Sequence, residues 1–295
     1  MSDLLSRRAL LVGGSALAFL AACGTKNKEI KVGGTPTTQG QKDVLSTVMA
    51  GSMFLSGIDE RVSFAMFQGV PATLVPADAV VHVAFQKPGT KVLTNPILAE
   101  RKSDGIEDRP YYVVHYTFDT PGDWGLRATI DGKKPGDAVI TINDPASVAY
   151  PVPGKPLFAV QTPTPDNTLG VNPICTRSDG MCPFHTASLD TLLGKNGKPT
   201  VVVLATPALC QSATCGPVLE IVMSETAALR DKLNIVHVEV YTDSTGKTLS
   251  PAFAAFKTDS EPVMYLADKH GTLLQTFNGP FDKSEASAAL QQLAT

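Results

Sequence analysis

Two cysteines, Cys210 and Cys215, lie between an apolar segment and a predicted helix. The apolar residues 198–205 predict a buried strand, and residues 217–232 predict a helix with apolar side chains on one face. The unpaired N–H groups at a helix N-terminus stabilise a thiolate and lower the pKa of a cysteine there. This placement predicts a thiol redox site in which Cys215 is the nucleophile and Cys210 resolves the mixed disulfide.

The remaining cysteines leave the disulfide pairing open. Without Cys23, which directly follows the predicted signal peptide, four of the five cysteines remain, and these can pair in three ways. Sequence proximity favours Cys175–Cys182 and Cys210–Cys215, and a cross-pairing is the alternative. We expect Cys175–Cys182 to be a structural bond, with a second redox pair that relays electrons to Cys215 as the weaker alternative.

The first residues predict export and a lipid anchor. Ser6-Arg7-Arg8 is a twin-arginine segment, and the small and apolar residues 9–22 are too few to span a bilayer, which needs roughly 20. Leu20-Ala21-Ala22-Cys23 resembles the bacterial lipobox, which implies cleavage before Cys23 and lipidation of that residue. We therefore expect a protein held on the extracytoplasmic face of the cell membrane. An ordinary cleaved signal peptide is the alternative.

Composition narrows the classes of partner. The formal net charge is −3 at pH 7, and no basic run follows the signal segment, which argues against nucleic-acid binding. A chain of 295 residues with 43% hydrophobic content can form two ordinary domains. No cofactor is expected, and the expected partners are extracytoplasmic proteins that carry thiols or disulfides.

Periodicity divides the chain into five segments. We predict a signal peptide over 1–22, a flexible tether over 23–45, a β-sandwich over 46–145, a proline-rich linker over 146–173 and an α/β domain over 174–295. The predicted sandwich strands are Ser52–Leu55, Arg61–Phe67, Ala79–Phe85, Lys91–Leu93, Tyr111–Phe118, Gly125–Ile130 and Ala138–Ile142.

Two family resemblances follow from these patterns. The short strands, with the corner Tyr116-Thr-Phe-Asp-Thr-Pro-Gly-Asp-Trp124, resemble immunoglobulin-like accessory domains. The later order β-α-β-α-β-β-α, with Cys215-Gly-Pro and Glu261-Pro262-Val263, resembles the thioredoxin fold. That resemblance implies a cis-proline at Pro262 that packs beside the redox cysteine and shapes the partner-binding groove.

One departure from the thioredoxin pattern bears on function. Val218 stands where thioredoxins carry the resolving cysteine, and the nearest cysteine, Cys210, precedes the helix. A thiol–disulfide oxidoreductase is therefore one hypothesis. The other is a non-catalytic binding or assembly lipoprotein whose disulfides are structural.

Metal binding is the weaker alternative. Cys182-Pro-Phe-His185 places a thiol and an imidazole three residues apart, and Sco-type copper proteins combine a similar fold with two cysteines and a histidine. Their spacings do not match, so we predict no metal site; a site at Cys210/Cys215 with His185 or His237 is the metal alternative. We expect His237 to be a core or sheet-face residue and Glu261 to be a solvated turn residue; a Glu261 that tunes Cys215 or takes up a proton is the alternative.

Overall fold

Alternating apolar residues build a series of short strands in the first half of the described chain. The computed structural model describes residues 43–295, so the predicted signal peptide, Cys23 and most of the tether lie outside the described residues. The strands are β1 (Leu45–Met49), β2 (Phe54–Leu55), β3 (Asp59–Gln68), β4 (Thr73–Leu74), β5 (His82–Gln86), β6 (Ile97–Leu98), β7 (Glu100–Lys102), β8 (Tyr111–Thr117), β9 (Gly122–Thr129) and β10 (Gly136–Asn143).

These strands form two sheets that share one core. The first sheet has the order β1-β3-β8-β7, with β4 paired to β3, and the second has the order β2-β10-β9-β5-β6. Inward residues of both sheets, among them Phe64, Phe85 and Trp124, belong to the same buried cluster. Trp124 also donates its indole N–H to the Thr120 carbonyl at 3.0 Å. This arrangement is the Ig-like sandwich that the strand pattern predicted.

The sandwich differs from prediction in several edge strands: β1, β4, β6 and β7 form where no strand was predicted, and one predicted strand is missing. Residues 91–93 form no strand, and only an isolated bridge joins Leu93 to Gln86. Strand β1 begins at Leu45, at the end of the predicted tether, and pairs antiparallel with β3. The alternation of apolar and polar residues in β1 is too short to predict a strand, and β1 forms because it can pair with the free edge of β3.

The second half of the chain alternates strands and helices. Its elements are α1 (Leu189–Leu192), β11 (Thr200–Leu204), α2 (Cys215–Glu225), β12 (Asn234–Val238), α3 (Pro251–Ala255), β13 (Val263–Ala267), β14 (Leu273–Asn278) and α4 (Lys283–Leu293). From β11 onward the order is the predicted β-α-β-α-β-β-α. The sheet has the order β12-β11-β13-β14, in which β11 and β12 are parallel and the other pairs are antiparallel.

Both faces of this sheet are covered, which explains the continuous apolar run of β11. Val201 and Val203 belong to the cluster that contains α2 and α4 residues. Val202 and Leu204 belong to the cluster that contains Leu189 of α1 and Phe253 of α3. A central strand buried on both faces is apolar at every position rather than at alternate ones. No helix among residues 43–295 is long and apolar enough to cross a bilayer.

The proline-rich segment lies against the edge strand β14. Gly154 and Leu157 donate their backbone N–H groups to the carbonyls of Leu273 and Gly271, each at 2.8 Å. Leu157 is buried, and Tyr150 and Phe158 pack on the same cluster as α3. The described residues all belong to one compact unit, and the domain boundaries assigned from the sequence stay predictions.

The sandwich packs directly on the α/β sheet through β3 and β8. Tyr112 and Val114 of β8 belong to the sandwich core, whereas Tyr111 and Val113 belong to the cluster with α2 and α4. On β3, Arg61 is buried and binds Glu285 of α4, with an Nε–Oε1 distance of 2.7 Å. One face of these strands therefore packs in the sandwich core, and the other face packs on the α/β half through a buried interface.

Candidate functional site

The structure joins Cys210 and Cys215 by a disulfide, the pairing that sequence proximity favoured. Cys215 is the first residue of α2, and Cys210 lies in the loop between β11 and α2, with the two Cα atoms 5.9 Å apart. The backbone N–H of Cys215 points at the Cys210 sulfur at 3.3 Å. A disulfide that ends on the first turn of a helix places its sulfur beside unpaired N–H groups, which favour the thiolate after reduction.

Accessibility separates the two sulfurs. Cys215 is fully buried, with no exposed surface, whereas Cys210 is only partly buried. The residues that follow Cys210, namely Gln211, Ser212 and Ala213, are exposed. A partner thiol from another protein therefore meets Cys210 before Cys215. From the sequence, Cys215 was predicted to be the attacking residue and Cys210 the resolving one. The burial of Cys215 argues that Cys210 attacks and Cys215 resolves.

Glu261 lies beside the buried sulfur. Its Oε2 is 3.4 Å from the Cys215 Sγ and accepts the Thr206 backbone N–H at 2.8 Å. Burial raises the pKa of Glu261 to about 7, although the Thr206 hydrogen bond opposes the shift. The structure thus differs from the expected solvated turn residue, because the loop before β13 turns this carboxyl inward. The Glu261–Pro262 peptide bond is cis, as the thioredoxin resemblance implied.

Position 218, where thioredoxins carry the resolving cysteine, is part of the buried core here. Val218 has no exposed surface and packs with α4 and β11 residues in one cluster. Residues on α2 beyond Cys215 therefore supply no second thiol, and any exchange chemistry depends on the Cys210 loop.

The second cysteine pair differs from prediction. Cys175 and Cys182 are both free and buried, and no bond joins them. The Cys182 backbone N–H points at the Cys175 sulfur at 3.4 Å, and the Cys182 sulfur lies 3.4 Å from the His237 Nδ1. The difference arises from tertiary contacts, because the loop that carries both cysteines folds onto β12 and places the Cys182 thiol against the His237 imidazole.

Two histidines complete this cluster. His185 Nε2 lies 3.1 Å from His237 Nδ1, and both side chains are buried. The metal alternative raised from the sequence placed these histidines with Cys210 and Cys215; the structure groups them with Cys175 and Cys182 instead. His237 is a core residue, as expected, but its ring is a member of a polar cluster rather than inert packing. The other histidines lie elsewhere: His115 contacts Asp59 at 3.1 Å on the surface, and His82 and His270 show no comparable cluster among the described residues.

The electrostatics of the cluster favour a charged thiol. The hydrogen bond with Cys182 lowers the pKa of Cys175 well below its usual range, and the nearby imidazoles act in the same direction. Burial alone would lower the pKa of His237, but the Cys175 contact and the charge of Glu239 raise it overall. These contacts therefore favour the thiolate form of Cys175 and strengthen the hold of His237 on its proton when the cluster is reduced and metal-free.

Glu239 is a residue that the sequence analysis missed. It is buried at the end of β12, and its carboxylate accepts hydrogen bonds from the backbone and hydroxyl of Thr176. The Thr176 hydroxyl oxygen in turn accepts the Ala208 N–H at 3.1 Å, in the loop that leads to Cys210. The sequence did contain a sign that Glu239 has a partner: it is an acidic residue inside the apolar run 234–241, and an unpaired charge in a buried strand is costly. These contacts connect the two cysteine sites.

Comparison with known proteins finds distant structural similarities. No protein-family model matches the chain, and no curated protein sequence is similar to it. The similar solved structures include a thiol:disulfide interchange protein of the thioredoxin family from Chlorobium tepidum, at 14% identity, TM-score 0.34, and coverage of 50% of this chain and 100% of that one. A thioredoxin-like superfamily protein gives 16% identity, a TM-score of 0.29, and coverage of 36% and 84% respectively.

A third similar structure is a single domain of a larger protein. The CARDB domain of a Pyrococcus furiosus protein, solved with di-metal ions, gives 10% identity, a TM-score of 0.20, and coverage of 34% of this chain and 87% of that domain. All of these scores are low, so the class assignment depends on strand order and on the disulfide at the start of α2. By those features the described residues form a two-sheet β-sandwich of Ig-like type and then an α/β sheet with a thioredoxin-like order of elements.

Proposed function

We propose that this protein is an extracytoplasmic thiol–disulfide exchange protein whose redox centre is the Cys210–Cys215 disulfide. The observation that carries the proposal is the pairing of one partly exposed sulfur, Cys210, with one buried sulfur at a helix N-terminus, Cys215, beside the carboxyl of Glu261. Exchange needs one sulfur that a partner can reach and a second sulfur that leaves readily as a thiolate.

The exchange is a pair of displacements at sulfur. A partner thiolate attacks the Cys210 sulfur, the Cys210–Cys215 bond breaks, and Cys215 leaves as a thiolate at the start of α2. A second partner thiolate then attacks the partner sulfur of the mixed disulfide and releases Cys210 as a thiolate. The partner gains a disulfide, and this protein gains the two electrons. The reverse sequence starts with attack by the Cys210 thiolate on a partner disulfide, and Cys215 then resolves the mixed disulfide.

Glu261 supplies a proton beside the leaving sulfur. Its raised pKa keeps the carboxyl protonated below about pH 7, so it can donate to the Cys215 thiolate across 3.4 Å. Above that pH its negative charge opposes the thiolate and raises the pKa of the Cys215 thiol. Glu261 also affects the stability of the fold. Because its pKa is raised, it contributes to the free energy of unfolding at low pH, and this contribution is lost as the pH rises from about 4.5 to about 7.

Glu261→Gln should make the disulfide a stronger oxidant at pH 8.5. Removal of the negative charge stabilises the Cys215 thiolate, and we expect the reduction potential to rise by about 30 mV, or tenfold in the exchange equilibrium. At pH 6 the difference should shrink, because Glu261 of the wild type is already neutral. The measurement is equilibration in thiol–disulfide buffers with alkylation of the free thiols.

Glu60→Gln is the matched control. Burial raises the pKa of Glu60 to about 7 as well, but its carboxyl accepts the Leu55 N–H in the sandwich, away from the cysteines. Its potential should equal that of the wild type at both pH values. A wild-type potential below about −300 mV would instead indicate a structural bond and contradict exchange.

Membrane attachment is the second part of the proposal and depends on the lipobox at Cys23. The two or three acyl chains of a lipoprotein cysteine hold a protein stably, whereas one chain binds only marginally. Cys23→Ala should therefore move the protein into the soluble extracytoplasmic fraction with its folded domain intact, as measured by cell fractionation and thermal unfolding. Retention of that variant in the membrane would show that Cys23 is not the anchor.

A further inference from the structure

The buried cluster of Cys175, Cys182, His185 and His237 has the composition of a metal site. The four side chains are 8%, 1%, 2% and 0% exposed, respectively. One ligand atom from each lies within 4.8 Å of all the others. Three of the residues come from the loop before α1, and the fourth comes from β12. We propose that these four residues bind one tetrahedral Zn²⁺ ion, a property distinct from exchange at Cys210–Cys215.

The distances between the ligand atoms suit a tetrahedral ion. Zinc bonds of about 2.3 Å to sulfur and 2.0–2.1 Å to nitrogen place the ligand atoms about 3.3–3.8 Å apart. The Cys182 Sγ lies 3.4 Å from the His237 Nδ1, and that nitrogen lies 3.1 Å from the His185 Nε2. A shift of a few tenths of an ångström brings the two nitrogens to the ideal separation.

The hydrogen bonds of the two histidines leave one nitrogen of each ring free to bind a metal ion. His237 Nε2 lies 2.9 Å from the Ala205 carbonyl oxygen, and His185 Nδ1 lies 3.4 Å from the Pro163 carbonyl oxygen. A carbonyl only accepts, so each of these nitrogens carries the ring hydrogen. The two remaining nitrogens face each other at 3.1 Å, the distance of a hydrogen bond if one of them carries a proton. A metal ion between two neutral rings would take the place of that proton, and a backbone carbonyl on the outer nitrogen is a common second-shell partner of histidine ligands.

The ligand set selects the metal. Two thiolates and two imidazoles in a closed tetrahedron are typical of structural zinc, and the two thiolates neutralise its charge. The burial of all four residues leaves no open position for a substrate. The ion would hold the loop 175–185 to β12, and through Thr176 it would steady the loop that carries Cys210.

Metal uptake by the reduced protein tests this inference. We expect the reduced, metal-free protein to bind one equivalent of Zn²⁺ in competition with a chromophoric chelator, and to show with Co²⁺ the thiolate charge-transfer and tetrahedral ligand-field bands. Cys182→Ser should weaken the affinity by more than about 100-fold, because a lost ligand costs more than the 10–100-fold typical of a second-shell partner. The Cys210→Ser, Cys215→Ser double variant is the matched control and should bind as the wild type does.

Measurements on the wild type alone keep the test valid if Cys182→Ser does not fold. Zn²⁺ should raise the melting temperature of the reduced wild type, and a chelator should reverse the rise. Three results would overturn the inference: no uptake by the reduced wild type, a Co²⁺ spectrum without thiolate bands, or uptake that is lost in the control variant. A Cys175–Cys182 disulfide in metal-free protein isolated from cells would also overturn it.

Discussion

Cys215→Ser should accumulate mixed disulfides between Cys210 and extracytoplasmic proteins, whereas Cys210→Ser should accumulate none. Cys210 is the reachable sulfur, and without the Cys215 thiol nothing on α2 resolves its adducts, since Val218 occupies the next turn. In Cys210→Ser the remaining sulfur is fully buried, so no partner reaches it. The effect is all-or-none because mixed-disulfide formation needs direct contact between sulfur atoms.

Acid quenching, alkylation and non-reducing gels measure these adducts, and mass spectrometry identifies the cysteine that carries them. The Cys210→Ser, Cys215→Ser double variant is the control and should show no adducts. Adducts in Cys210→Ser but not in Cys215→Ser would restore Cys215 as the attacking residue, the assignment made from the sequence. Their absence from both variants would favour a structural disulfide and a binding or assembly role.

Arg61→Met should lower the free energy of unfolding by about 3 kcal/mol, because it leaves the largely buried Glu285 carboxylate without its cation and with only the Tyr111 hydroxyl and the Asp282 N–H as donors. Arg61 donates to both Glu285 oxygens, at 2.7 and 2.9 Å, and to the Pro280 carbonyl at 2.8 Å. Its guanidinium also lies over the rings of Tyr111 and Phe277, with centroid distances of 5.5 and 5.4 Å. Loss of this contact removes the main ion pair between the sandwich and α4. Chemical denaturation measures the change.

Arg127→Met is the matched control, since Arg127 makes a similar two-contact pair with Asp137, at 2.8 and 2.7 Å, on the surface. Both side chains there are about half exposed, so the cost should stay below about 1 kcal/mol. Arg61→Met combined with Glu285→Met should destabilise less than Arg61→Met alone, because no charge is then left buried. Equal effects of Arg61→Met and Arg127→Met would show that the Arg61 pair does not hold the two halves together.

Local patterns were enough to predict the elements and the Cys210–Cys215 site. The apolar run before Cys210, the helix after Cys215 and the turn residues between strands act over a few residues each. The pattern therefore indicated the order of the elements from β11 onward and favoured the Cys210–Cys215 pairing, whereas the cis-proline at Pro262 was implied by the thioredoxin resemblance. The sandwich strands with strong alternation, such as those around Val62 and Leu126, were predicted for the same reason.

Long-range contacts decided the rest. His237 meets Cys182 and His185 only because β12 pairs with β11, and those partners lie 55 and 52 residues away along the chain. Arg61 meets Glu285 across 224 residues. Burial, which distinguishes Cys210 from Cys215 and turns Glu261 into a proton donor, is a property of everything packed around a side chain. No spacing within a strand or helix encodes it, since the packed neighbours come from both halves of the chain.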